Sequence, residues 1–187
     1  TRLTNPKARP IYGHLERLID EVGEARADTI VNQTRNLCLY PNAYVMDQFS
    51  TQIRVLRPIS VNKTEVSIYC FAPKGESAEN REKRLRQYED FFNVSGMGTP
   101  DDLEEFRGCQ QGYEARAMRW NDMSRGAQHW QDGPDDYAKS VGMDTIATGT
   151  KPEDEGLYIH HHRHWEKEML NAVALERASQ IPVVQKD

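Results

Sequence analysis

A chain of 187 residues with a formal net charge of −5 is long enough for a hydrophobic core and too short for two large domains, so one globular unit is expected. The mildly acidic balance gives no electrostatic footprint for nucleic acid or an anionic membrane, and neither is expected as a partner. No apolar run is long enough to cross a bilayer and no cationic-then-apolar leader opens the sequence, which points to a cytoplasmic protein. Cys38, Cys70 and Cys109 are odd in number, far apart and without a Cys-x-x-Cys pair. They read as buried thiols of a reducing compartment rather than zinc ligands.

The first dozen residues, opening on Thr1 and containing Pro6 and Pro10, show no periodic pattern, and a segment of a larger polypeptide is expected. From His14 to Gln33, Leu15, Leu18, Ile19, Val22, Ala25, Ile30 and Val31 recur at helical spacing across Gly23, which predicts one bent helix or two short ones. Composition then shifts to Val, Ile, Tyr and Phe, and strands are predicted over 36–40, 43–49, 52–59 and 65–72. Asn62-Lys63-Thr64 should turn the last two into an antiparallel hairpin.

The charge-dense run from Ser77 to Asp90 reads as a solvated helix whose inward side is Leu85, Tyr88 and Phe92. A second helix is predicted from Asp101 to about Arg119. Residues 120–152 are rich in glycine and too long for a simple connector, so an interface or lid is expected there. A last helix should start near Glu155 and pass Ala174, with Trp165, Met169 and Val173 on one side. Helix, then strands, then helices is the order of an α+β fold with helices packed on an antiparallel sheet.

Chemistry is sparse. Thr99-Pro100-Asp101-Asp102 can be an ordinary helix start, with Thr99 as N-cap, Pro100 at the first position and two carboxylates at the positive end of the helix dipole. The same carboxylates can supply a metal ligand. His160 and His164 share a helical face, but no His-Glu-x-x-His arrangement or third ligand accompanies them, and Arg163 adds positive charge. His14 and His129 lack a nucleophile context such as Gly-x-Ser-x-Gly. Gly96-x-Gly98 fits no phosphate loop, since it follows no strand and the aspartates would repel phosphate.

Longer blocks carry more information. Arg35-Asn36-Leu37-Cys38-Leu39-Tyr40-Pro41-Asn42, Met46-Asp47-Gln48-Phe49, Gln52-Ile53-Arg54-Val55-Leu56-Arg57-Pro58, Gln87-Tyr88-Glu89-Asp90-Phe91-Phe92, Gly98-Thr99-Pro100-Asp101-Asp102-Leu103-Glu104-Glu105-Phe106, Trp120-Asn121-Asp122-Met123-Ser124-Arg125-Gly126 and Glu153-Asp154-Glu155-Gly156-Leu157-Tyr158 follow one another in order over nearly the whole chain. The sequence resembles the C-terminal part of the large (alpha) subunit of Rieske-type aromatic-ring-hydroxylating dioxygenases, in the benzoate and toluate 1,2-dioxygenase branch. The anthranilate branch is similar over Asn93 to Leu103.

That resemblance implies part of a helix-grip-like catalytic domain over 1–187, and a mononuclear non-haem Fe(II) held by two histidines and one carboxylate with positions open for dioxygen. It assigns the carboxylate to Asp102 and leaves Asp101 to cap or orient. It places the substrate pocket on Thr34, Asn36, Met46, Phe92, Met97 and Gly98, with Asn36 favoured over Arg35 as the contact for a substrate carboxylate. It implies a Rieske [2Fe-2S] centre, NADH as electron source through a reductase, a small (beta) subunit, and neighbouring large subunits in a hetero-oligomer. The family's Cys-x-His and Cys-x-x-His cluster motifs and its closely spaced histidine pair do not occur in the sequence, so this chain alone is expected to bind iron poorly and to catalyse nothing. The implied reaction is cis-dihydroxylation of an aromatic carboxylate such as benzoate. The alternatives are an anthranilate-type dioxygenase and a non-catalytic module that binds a small aromatic ligand without metal.

Overall fold

Gly23 decides how the first apolar stretch folds. In the computed structural model, which describes residues 3–48 and 50–179, Gly23 has φ 81°, ending α1 (Leu15–Val22) and opening α2 (Glu24–Asn32). Two short helices therefore form where the spacing left one or two open. The end of α2 is held by the buried Arg9 guanidinium, whose Nη1 donates to the carbonyls of Ile30 at 2.9 Å and Val31 at 3.0 Å. Arg9 Nη2 pairs with Asp47 Oδ1 at 2.7 Å, and Arg35 pairs with the other oxygen of the same carboxylate. A buried cation is tolerable here because helix carbonyls and a carboxylate both satisfy it.

Four strands, β1 (Arg35–Leu39), β2 (Ala43–Asp47), β3 (Thr51–Ser60) and β4 (Lys63–Cys70), pair antiparallel in sequence order. Together with the helices they give the α+β class expected. The Tyr40–Pro41 peptide between β1 and β2 is cis. Val61 and Asn62 close the β3–β4 hairpin, with Ser60 opposite Lys63. The predicted second strand ran to Phe49; β2 stops at Asp47, and Phe49 lies outside the described residues. Register decides the faces. Asn36, Met46 and Gln52 line up across β1, β2 and β3 on one face, joined two residues along by Cys38, Tyr44 and Arg54; Arg35, Asp47 and Thr51 line up on the other.

Helix α3 (Ala78–Phe91) is capped by Ser77, whose Oγ accepts from the Asn80 amide at 3.2 Å. Its inward residue is Arg84, at 8% exposure, and not Leu85, which is 45% exposed. Spacing of four puts Arg84, Tyr88 and Phe92 on one stripe, and Leu85 falls about 100° away from Arg84. The Arg84 charge is met by Glu76, with Nη2 to Oε1 at 2.6 Å, and Nη1 donates to Thr51 Oγ1 at 2.6 Å. Helix α4 (Thr99–Ala115) ends four residues earlier than Arg119, at Arg116 in the left-handed region.

The described residues divide into two compact units with the boundary between Asn121 and Asp122. In the second, the glycine-rich stretch carries short elements: β5 (Gln131–Asp132) pairs with β6 (Ala147–Thr148), flanking α5 (Asp136–Ser140). The last helix, α6 (Ile159–Ser179), follows a 3-10 turn over Glu155–Tyr158. The buried Asp154 carboxylate meets His129 Nδ1 at 2.8 Å. Gly126, at φ 78°, lies so close beneath Asp154 that a Cβ there would collide with that side chain. His160 stacks on Trp130 with ring centroids 5.4 Å apart. Among the described residues no helix is long and apolar enough to cross a membrane. The thiols are not buried as expected: Cys38 and Cys109 are exposed on β1 and α4, and only Cys70 is half-buried, its pKa pushed up by burial.

Breaking the Arg84–Glu76 pair leaves a carboxylate without its buried partner. Arg84→Met should lower unfolding stability by about 3 kcal/mol, whereas Arg86→Met, which loses only an exposed pair with Asp90, should leave it nearly unchanged. Urea unfolding of the two variants measures the difference.

Candidate active site

The chain leaving α3 folds back onto the helix end. Phe92 and Asn93 amides donate to the Tyr88 carbonyl at 2.8 and 3.0 Å, Met97 N–H donates to Asp90 O at 3.0 Å, and Gly98 N–H to Phe91 O at 3.0 Å. So tight a turn needs glycine. A Cβ on Gly96 would stand 2.5 Å from the Phe91 carbonyl oxygen, and one on Gly98 would stand 2.7 Å from the Phe91 ring. Phe91 and Phe92 meet edge to face, with centroids 4.9 Å apart.

Helix α4 opens directly from this turn, one residue earlier than expected. Gly98, not Thr99, occupies the cap position, and its carbonyl accepts from the Asp102 amide at 3.1 Å. The Thr99 hydroxyl instead donates backwards to the Phe92 carbonyl at 2.8 Å, tying the helix start to the turn. Pro100 stands in the first turn, where its missing N–H costs nothing, followed by Asp101 and Asp102, both exposed.

Asp102 lies within electrostatic reach of Arg54 on the sheet. The Arg54 guanidinium carbon lies 5.2 Å from the centre of the Phe92 ring, a cation–π contact with a buried aromatic. Burial pushes the Arg54 pKa down, and the nearby Asp102 carboxylate, followed by the Tyr88 phenol, opposes that shift. Its Nε donates to Gln52 Oε1 at 3.3 Å, and the fully buried Gln52 donates through Nε2 to Ser50 Oγ at 2.8 Å. Arg54 Nη2 is buried and makes no hydrogen bond with any described residue. The sequence reading missed Arg54 as a site residue. The signal was available in Gln52-Ile53-Arg54, where alternation puts Gln52 and Arg54 on one face, but only strand register shows that it is the face of Asn36 and Met46.

The predicted pocket residues divide into groups. Asn36 and Met46 are register partners on the Arg54 face, with half-buried Thr34 just before β1. Phe92 lies against Arg54, within the same electrostatic neighbourhood as Asp102. Gly98 packs on the Phe91 ring, and Met97 stands out at 73% exposure. Arg35, the second candidate for a carboxylate contact, is on the opposite face and engaged by Asp47. A cavity of about 510 Å³ opens on that opposite face, lined from the sheet by Leu37, Val45, Asp47 and Thr51, and none of the expected pocket residues borders it. Among the described residues no three His, Cys, Asp or Glu groups gather to hold a metal. Asp102 therefore offers one hard oxygen donor, which suits one position of an iron(II) site and does not complete it.

A helix-and-antiparallel-sheet fold with an acidic helix start beside an arginine-bearing sheet face is the class these elements define. The chain belongs to the ring hydroxylating alpha subunit (catalytic domain) family, which matches residues 4–170. It is 62% identical to the 2-halobenzoate 1,2-dioxygenase large subunit of Burkholderia cepacia over 176 residues, 94% of this chain and 38% of that protein. It is 54% identical to the toluate 1,2-dioxygenase subunit alpha of Pseudomonas putida, again over 94% of this chain and 38% of the relative. Identity to the anthranilate 1,2-dioxygenase large subunit of Acinetobacter baylyi is 45%, covering 91% of this chain and 36% of that protein. The chain thus spans well under half the length of these relatives.

Since Gly98 has no room for a side chain, Gly98→Ala should displace the Phe91 ring and with it the start of α4, lowering stability by about 1–3 kcal/mol. Gly108→Ala, mid-helix with open space around the added methyl, should instead be neutral or stabilising by up to about 1 kcal/mol. Thermal unfolding of both variants checks the contrast.

Proposed function

We propose that this chain is the C-terminal part of the catalytic domain of a dioxygenase large subunit that cis-dihydroxylates a benzoate-like acid. The observation that carries the reading is Asp102, an exposed carboxylate in the first turn of α4, set beside Arg54 and Phe92 in a chain of this family. Mononuclear iron(II), when bound, supplies the activation of dioxygen. Asp102 gives it one oxygen ligand; the two histidines that complete the set are not supplied by this chain.

The residues of the chain then hold the substrate. Phe92 offers an aromatic wall, Met46 and Thr34 a mostly apolar floor, and Asn36 an amide, which suits a flat ring with few polar anchors. Met97 and Gly98 border the approach to Asp102. Asp101, next to the ligand, caps and orients the helix start. Overall, both atoms of dioxygen add to the carboxylate-bearing ring carbon and its neighbour, while NADH and a proton supply the two electrons and the balance of hydrogen. Those electrons arrive through a reductase and a Rieske [2Fe-2S] centre carried elsewhere in the large subunit. A small subunit and neighbouring large subunits complete the assembly, and the setting is the cytoplasm. Higher identity to the halobenzoate and toluate enzymes than to the anthranilate enzyme favours a benzoate-type acid over anthranilate.

The test uses the full-length large subunit with its small subunit and reductase. Asp102→Ala should strip most of the iron and abolish benzoate-dependent oxygen uptake, while Asp101→Ala should keep both and lose about 0.3–1 kcal/mol of stability as an N-terminal helix charge. Iron and turnover undiminished in Asp102→Ala would sink the assignment and leave Asp102 a capping residue.

A further inference from the structure

We infer that Arg54 is the residue that receives the carboxylate of the aromatic acid. Among the described strand residues in register on the sheet face that carries Asn36 and Met46, Arg54 is the one fixed cation. The other arginine near the start of β1, Arg35, is turned away and neutralised by Asp47. Arg54 is also held in place: Gln52, itself fully buried and anchored on Ser50, accepts from its Nε, and Phe92 lies against its face. A guanidinium fixed in this way loses little freedom when it binds.

It also has something left to bind. Nη2 is buried with its hydrogen bond unmade, and a buried donor in that condition is costly until an acceptor arrives. A planar carboxylate matches a guanidinium in charge and in its pair of oxygens. Asp102 is the near competitor. With Asp102 committed to a metal, as the proposed function has it, the remaining anion is the substrate's. Arg54 then sets specificity twice over, by attracting an acid and by leaving a buried charge unpaired when an uncharged ring enters.

This inference rests on the dioxygenase reading, and the experiment separates the two. Equilibrium binding of benzoate and of benzamide, its neutral counterpart, is measured by calorimetry on the iron-loaded assembly, with iron content determined for each variant. Arg54→Gln should weaken benzoate by about 10- to 150-fold, the loss of one charged hydrogen bond, and change benzamide little. Arg54→Lys should recover part of the benzoate affinity, and iron content should stay at the level of the unaltered protein in both variants. Benzoate affinity unchanged in Arg54→Gln would overturn the inference alone, as would an equal loss for both ligands with falling iron, which would make Arg54 a positioning residue for Asp102. An unaltered assembly that binds no benzoate but oxygenates an uncharged arene would overturn the aromatic-acid reading and this inference with it.

Discussion

The close approach of Gly96 to the Phe91 carbonyl and of Gly98 to the Phe91 ring fixes where the candidate site begins. Gly96 and Gly98 leave no room for a side chain because the chain reverses against Phe91 itself. That reversal lets the Thr99 hydroxyl reach the Phe92 carbonyl and starts α4 at once, so the backbone from Phe92 to Asp102 is a short, hydrogen-bonded unit. An aromatic wall and a carboxylate are thereby placed together by local chain geometry. The proposed site, which would hold a ring against a metal, needs this kind of fixed spacing, since small displacements at such a centre cost large factors in rate.

Opposite faces of the sheet use charge differently. On one, Asp47 is saturated by Arg9 and Arg35, and Arg84 is saturated by Glu76 and Thr51; these are closed networks that join helices to strands. On the other, the chain from Ser50 through Gln52 to Arg54 is open at its far end, where a buried nitrogen has no acceptor. A fully satisfied polar network rigidifies a fold, and a buried donor left unpaired carries a desolvation cost until it finds an acceptor. A cavity of about 510 Å³ opens on the closed side.

Much of the architecture was legible from sequence. The Val- and Ile-rich runs became β1 to β4, Gly23 broke the first helix, and Thr99-Pro100 opened α4 after a glycine-rich turn. What sequence could not supply were relations between distant residues. Helical spacing offered Leu85 as the inward residue because it is apolar, yet Arg84 is buried, since Glu76 and Thr51 wait for it. Thr99 had the composition of a cap, but Gly98 holds the cap position and the Thr99 hydroxyl donates backwards to the Phe92 carbonyl. Arg54 and Arg35 are both arginines on strands, and only register tells which faces Asn36. The cysteines looked like buried thiols by type, but Cys38 and Cys109 occupy exposed positions on an edge strand and a helix flank.

In the proposed site, Asp102 would hold a metal over the Arg54 face of the sheet. Anomalous diffraction at the iron edge from crystals of the full-length large subunit locates that metal directly. An iron peak bonded to an Asp102 carboxylate oxygen, with Arg54 and Phe92 bordering the same space, is the expected result. An iron peak whose ligands exclude Asp102, or one that faces the Asp47 side of the sheet, would contradict it.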